Sequence, residues 1–502
     1  MANDFYKTGA FKIYNIWFLI LLFTSVLFIG VKMANNPMIS YMIIGLAIGI
    51  FFLLLVYKIP RIGMYSLLIF TFFVIGFTRL IPLKLGLGVD SLLLLMWIIL
   101  FFKGFQKANW SIKNNLLTYC ALIWVIYIFI QLYNPEAVSK EAWFYASRNM
   151  AFYPLMLIPL VFLICNQQYD VKIFIKIWCV LSILFALYGV KQYYFGLYSF
   201  EWAWLAKGAH KNHVFWGVLK RMFSFSSDAN QFGQCMAHSG LVFTVLIFKE
   251  KKISLIILYA TTAILSFWGM MISGTRGAIM VPLIGFTVYF VLYKNIKVLI
   301  AGALVGGFVL YLLAFTFFLH SLEPVRRMRT AFNPTKDESF IVRIENKKRL
   351  SAYLADKPFG GGIGSSGGYF GRRFGKGSYL SNVETDGLYV RLHAEAGIIG
   401  LYLFVILHIL SVGKMVLIVW KLKNPHIKNT MNALTVGVIG LLAANYSSDV
   451  TILLPANFLL MFSMVIVYLS PKWDKGEEYP EFIDKYSCFK KPKKLFFYKN
   501  EE

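Results

Sequence analysis

The chain has 502 residues, 58% hydrophobic, 18% aromatic and only 15% charged, with a mean hydropathy of +0.64. Soluble domains are nearer 45–50% apolar and about 25% charged, and the apolar residues here fall in runs of about 20, each able to cross a hydrocarbon layer about 30 Å thick. A soluble multidomain enzyme, a secreted disulfide scaffold and a disordered chain are thereby excluded, leaving an all-α polytopic membrane protein. Fifty Lys and Arg against 24 Asp and Glu give a net charge of +26. In a soluble chain that excess favours nucleic acid. In a membrane chain it serves the positive-inside bias of short cytoplasmic loops, so no nucleic-acid partner is expected.

Taken in order, hydropathy places spans near 14–33, 38–57, 62–80, 85–103, 116–133, 149–166, 173–194, 235–249, 253–273, 275–293, 297–319, 392–412, 431–446 and 451–470. The first follows Lys7 and Lys12 without a convincing cleavage site and reads as a retained helix. Threading from a cytoplasmic N-terminus puts Lys58, Arg61, Lys103, Lys107 and Lys113 inside, then Lys249, Lys251, Lys252, Lys294 and Lys297, then Lys414, Lys421, Lys423 and Lys428. The short turns on the other side are nearly bare of Lys and Arg, so both termini are expected in the cytoplasm. About 12–14 helices result. The expected division is a transmembrane bundle over 1–319 with an external segment 195–234, a long external loop 320–391, further spans over 392–470, and a basic cytoplasmic tail 471–502. Lys490, Lys491, Lys493 and Lys494 in that tail suit a solvated end or an anionic membrane surface. The scattered cysteines Cys120, Cys165, Cys179, Cys235 and Cys488 have neither metal nor redox spacing, and no disulfide is expected.

The loop 320–391 carries thirteen Lys/Arg and seven Asp/Glu, a balance of +6. Its order is a basic cluster (Arg326, Arg327, Arg329), an amphipathic helix near 339–355, the glycine run PFGGGIGSSGGYFG, and VETDGLYVRLHAEAGIIGL leading into the next span. The glycine run lacks the Gly-Lys-Ser/Thr of a P-loop and suits either a backbone phosphate nest or a flexible closing loop.

Four stretches hold candidate chemistry. In SGTRGA, Thr275 is expected to cap a helix starting at Arg276, which joins an arginine to free backbone N–H groups as in phosphate sites. A snorkelling interfacial arginine fits the same pattern. Arg343 lies on the amphipathic helix fifteen residues before Pro358, where a solvated face is the plain alternative. Arg221 opens RMFSFSSDANQFG, in which Asp228 and Asn230 suit turn and cap roles. At the mouth of the span near 392–412, Glu384, Asp386, Tyr389, His393 and Glu395 cluster. A helix starting near Asp386 would align Asp386, Tyr389 and His393 on one face, with Asp386 either a cap or a general base. Trp202, Trp204, Trp216, His210 and His213 in the earlier external segment suit an aromatic belt or sugar stacking.

Together these stretches resemble the O-antigen ligase and polysaccharide polymerase superfamily of bacterial membrane glycosyltransferases. SGTRGA resembles its Ser-Arg-Gly-Ala element, Arg343 followed by Pro358 and glycines its external-loop arginine element, and Asp386-x-x-Tyr389-x5-Glu395-x-Gly397-x-x-Gly400 its closing motif. The resemblance covers about 221–400. It implies a GT-C-type helical fold with a long external loop. It also implies transfer of a glycan from an undecaprenyl diphosphate carrier to an acceptor hydroxyl, inverting and without a metal or other cofactor. Arg276 and Arg343 would hold the diphosphate, Arg221, Tyr389, His393 and Glu384 would line the substrate, and Asp386 would be the base, with Glu384 or His393 as alternatives.

Where the ligases begin the closing motif with histidine, this chain has Asp386, followed by Gly387 rather than Asn. An aspartate with an ordinary pKa near 3.9 is ionised and still accepts a proton late in bond formation. That departure tilts the expectation toward a polymerase of surface polysaccharide. The alternatives are a ligase acting on a lipid A-core or protein hydroxyl, and a non-enzymatic flippase of lipid-linked sugars. Expected partners are the lipid-linked donor, a glycan or lipid-core acceptor, membrane lipids, and possible chain-length regulator and flippase proteins. The expected location is the bacterial inner membrane with the site on its outer face.

Overall fold

The computed structural model describes residues 20–21, 23–28, 30, 37–81, 85–104, 115–209, 213–215, 218–219, 221–293, 296–316, 321–329, 338–367, 369–375, 378–385 and 387–479. Most of the first expected span, Lys107, Lys113, His210, Trp216, Lys294, Asp386, Cys488 and the basic tail cluster lie outside the described residues. Among the described residues, nine helices are long and apolar enough to cross a membrane, so the chain is an all-α multi-pass membrane protein.

The elements in order are α1 (Pro37–Lys58), α2 (Pro60–Leu80), α3 (Gly86–Gly104), α4 (Leu116–Ile130), α5 (Lys140–Ile164), α6 (Gln168–Phe195) and the short α7 (Ser199–Trp204). A two-residue antiparallel pair follows, Val214 opposite Leu219 and Phe215 opposite Val218. Then come α8 (Ala229–Ile247), α9 (Ile253–Ile272), α10 (Met280–Leu292), α11 (Ile296–Phe315), α12 (Glu323–Arg329), α13 (Glu338–Tyr353) and α14 (Tyr369–Phe374). The chain closes with α15 (Leu388–Lys421), α16 (Pro425–Ala444) and α17 (Ala456–Asp474).

Local chemistry sets several boundaries that hydropathy alone misplaces. The helix expected from 235 starts at Ala229, because the Asp228 carboxylate accepts from the Gln231 amide at 2.8 Å. The span expected over 149–166 starts at Lys140, where Ser139 caps the amides of Glu141 and Ala142. A π-turn at Arg148–Phe152 then leads into Pro154, whose missing N–H could not continue a regular ladder. The helix expected over 431–446 begins at Pro425 behind the Asn424 cap, and the last begins at Ala456 rather than 451, after a 3₁₀ turn at Val450–Ile452. Packing centres on α8, which is buried on nearly all sides between α9, α10, α16 and α6. Away from the loops, Arg61 of α2 pairs with Asp170 at 3.2 Å, and Asp170 also accepts from Tyr65 at 2.6 Å and from the Gln167 amide at 2.9 Å.

α15 starts at Leu388, not Asp386, and Gly387 precedes it at φ +97°. The helix expected near Asp386 thus begins two residues later, and the face proposed for Asp386 with Tyr389 and His393 involves a residue outside the described ones. α15 is also broken at Gly397 (φ +73°, ψ −178°), a conformation nearly confined to glycine. The glycine run fills this break. The Gly361 amide donates to the Ala394 carbonyl at 2.8 Å and the Ile399 amide to the Pro358 carbonyl at 3.3 Å. The turn that follows α4 grips the same run: Gln131 and Asn134 donate to the Phe359 carbonyl at 3.1 and 3.0 Å. Residues 360–367 are buried. The glycines thus permit close approach of backbone to backbone, and the expected flexible closing loop is replaced by a packed plug.

A Cβ at Gly397 would sit 2.0 Å from the Pro358 carbonyl oxygen. Gly397→Ala is expected to lower stability by at least about 1–3 kcal/mol from backbone strain alone, read as a drop in thermal unfolding temperature in detergent. An unchanged midpoint would mean that the break is not required.

Candidate active site

Three segments meet at the loop end of the bundle. The first is the SGTRGA turn. Gly274 takes φ +60°, the Thr275 amide donates to Ser273 Oγ at 3.1 Å, and Thr275 Oγ1 donates to the Ala229 carbonyl at 2.9 Å. The expected Thr275 side-chain cap does not form, because that hydroxyl is spent on α8. Arg276 is half-buried and opens a 3₁₀ turn that runs into α10.

Two further arginines reach this turn. Arg221 donates to Asn230 Oδ1 at 2.6 Å, to Thr275 Oγ1 at 3.3 Å and to the Ser273 carbonyl at 3.4 Å. Arg327 of α12 donates from Nε to the Gly274 carbonyl at 3.1 Å. A Cβ on Gly274 would meet Arg327 Cδ at 2.9 Å and Arg221 Cγ at 3.4 Å, so both side chains lie against the same residue. Pro324, Val325 and Met328 are buried and seat α12 there. The sequence marked the basic cluster at 326–329 but gave no reason to single out Arg327; only docking of α12 does.

The second segment is 445–449, at the junction of the spans expected at 431–446 and 451–470. Ser447 lies so close to Gly277 that a Cβ there would be 2.2 Å from its Oγ. Gln234 donates to Ser447 Oγ and accepts from Ser448 Oγ, both at 3.1 Å. The Asn445 carbonyl accepts from the Leu388 amide at 2.8 Å, tying this turn to the start of α15. No local motif announces the segment.

The third is the start of α15. Arg391 bridges Glu395 at 3.0 Å and Asp449 at 2.9 Å. Glu395 is fully buried and accepts from the Gly364 amide at 2.9 Å and from Ser366 Oγ at 2.5 Å. One ionic chain therefore joins the glycine run, α15 and the 445–449 turn. Asp228 lies within electrostatic reach of Asp449 and Arg221. Burial is the largest effect and pushes its carboxyl above the usual range, aided by Asp449 and opposed by the Gln231 amide and Arg221.

The remaining expected site residues are dispersed. Glu384 is exposed and pairs with Arg372 of α14 at 2.6 Å. Tyr389 donates its hydroxyl to the Leu442 carbonyl at 2.7 Å. His393 is half-buried on α15, within electrostatic reach of Lys347 on α13. Arg343 lies on α13, but its side chain, like all of Asp386, is outside the described residues. On the earlier segment, His213 is buried between Trp204 and Phe223, its Nδ1 3.1 Å from the Arg221 carbonyl, and burial lowers its pKa to about 4. Arg79, an unremarked residue at the end of α2, donates to the Ser224 carbonyl at 2.7 Å and to the Ser226 carbonyl, under Trp204. It holds the turn that follows Arg221.

Residues 261–405, which include the arginine turn, α12, α13 and the buried Glu395, match the model of the O-antigen ligase family. Over these residues the chain is similar to the O-antigen ligase family. The matched region ends before α16, so Arg221, Asp228 and the 445–449 turn lie outside it. No curated protein matches the chain.

Proposed function

We propose that this protein is a metal-independent, inverting membrane glycosyltransferase that polymerises a surface polysaccharide. The donor is a glycan on undecaprenyl diphosphate, and the acceptor is a sugar hydroxyl of the next lipid-linked unit. The observation that carries the reading is the gathering of Arg221 and Arg327 over the Gly274 turn that bears Arg276. Cations fixed beside a turn that opens a helix suit a diphosphate, whose charge grows as it leaves.

In the reaction, the acceptor oxygen attacks the anomeric carbon and the bond from that carbon to the diphosphate oxygen breaks with inversion. The acceptor proton passes to a base, for which the Asp386 carboxylate is the first choice and the Glu384 carboxylate or the His393 imidazole the alternatives. Arg276, Arg343 and Arg221 take up the charge of the departing diphosphate. Both termini then lie in the cytoplasm and the site faces outward across the bacterial inner membrane. The divisions at 319, 391 and 470 separate two sets of spans, the loop that supplies Arg343, and the basic tail.

The family description favours a second reading, ligation of finished glycan to a lipid core. A gel profile of surface polysaccharide from cells with and without the gene separates the two. Loss of the ladder with a single repeat unit left on the acceptor is the expected result. Long chains retained on the lipid carrier beside a bare acceptor would establish ligation instead, and an unchanged profile would defeat both.

A further inference from the structure

We propose that a slot between α4, α5, α15 and α17 binds one acyl chain of a phospholipid whose head group carries a hydrogen-bond donor. The lining runs from Leu117 to Trp124 on α4, from Phe404 to Ser411 on α15 and from Asn457 to Met464 on α17. Seven residues of rise on each helix give a slot about 10 Å long, parallel to the spans and walled by leucine, methionine and aromatic carbon. That shape takes an extended hydrocarbon chain.

Several polar side chains interrupt the apolar lining; Ser411 donates to the Leu407 carbonyl and Thr451 to Asn445 Oδ1, while Asn457 and His408 each supply an acceptor. Asn457 is 1% exposed, and its Nδ2 donates to the Asn149 carbonyl at 2.8 Å. That bond fixes the orientation of the amide and leaves Oδ1 buried with no donor among the described residues. His408 points Nδ1 at the Phe404 carbonyl at 2.9 Å. A carbonyl can only accept, so Nδ1 carries the hydrogen and Nε2 of the neutral ring is the acceptor. A buried acceptor left without a donor is costly. A ligand that is apolar along its length and donates at the Asn457 end relieves that cost. An ethanolamine phospholipid has both properties, whereas a choline phospholipid has no N–H or O–H to give.

The test uses the full-length protein in nanodiscs of phosphatidylethanolamine containing an analogue with a photoreactive diazirine in mid-chain, followed by peptide mapping. Adducts are expected on Trp124, Met461 and Met464. Ile409, which is 64% exposed on α15, reports ordinary surrounding lipid. Met461→Trp fills the slot, so its adducts should vanish while those on Ile409 persist. Asn457→Leu, or a phosphatidylcholine analogue, should weaken slot labelling by about two- to tenfold, the effect of one lost hydrogen bond. Slot adducts that survive Met461→Trp, or equal labelling by both head groups, would overturn the proposal. So would displacement of the phospholipid by a polyprenyl phosphate. None of these readouts depends on glycan transfer, so the slot and the proposed enzymatic function stand or fall separately.

Discussion

Replacing Arg276 with alanine is expected to lower glycan transfer by about 10²–10³-fold, the usual effect of removing one preorganised charge or donor from a transition state. The loss should appear without a matching loss of folded protein, because the turn is held by other groups. Ser273 Oγ accepts from the Thr275 amide, Thr275 Oγ1 is bonded to Ala229, and Gly277 packs on Ser447. Asp386→Asn, which removes the proposed base and keeps the shape, should lose transfer to a similar extent. Transfer from purified lipid-linked donor, measured beside thermal unfolding in detergent, checks both. An active Asp386→Asn protein would move the role of base to Glu384 or His393. An active Arg276→Ala protein would remove the diphosphate site from this turn.

The second large effect is expected in stability. Glu395→Ala should destabilise the fold by about 3–5 kcal/mol, as when one partner of a buried ion pair is removed. The Gly364 amide and Ser366 Oγ both donate to Glu395, which also faces Arg391 at 3.0 Å. Without it, the glycine run loses its polar anchor and Arg391 is left with Asp449. Glu395→Gln retains part of the hydrogen bonding and should be milder. Tryptic cleavage at Lys357, Arg372 and Arg373, which flank the run, should quicken in the alanine variant. A wild-type unfolding temperature with unchanged cleavage would show that the network adds nothing.

The transmembrane pattern was legible in the sequence because a span needs only about 20 apolar residues, a one-dimensional property. Boundaries were less so, since a single cap such as Asp228 or Ser139 moves them by six to nine residues. Arg221 and Arg276 could be singled out because each sits in a short polar stretch beside an apolar run. Arg327 could not, as it is one of three basic residues in α12 and gains its place only when that helix docks. The 445–449 turn was hidden for the same reason: its partners Gln234 and Gly277 are more than 160 residues away in sequence. The closing motif was visible, but the purpose of its last glycines was not. Gly397 and Gly400 leave room for Pro358 and Tyr127, and neither neighbour is predictable from spacing.

The break at Gly397 also bears on how the chain assembles. The Ala394 carbonyl takes its hydrogen from Gly361, the Ala396 carbonyl from Tyr127 at 2.5 Å, and the Ile399 amide gives its own to Pro358. α15 cannot satisfy these groups from within itself. An unsatisfied backbone group is expensive in lipid, so this span cannot be completed at the moment it leaves the insertion machinery. It must wait for α4 and for the glycine run, both made earlier, to close over it. The order of synthesis supplies them first, and the last spans are then laid against a helix already sealed by its predecessors.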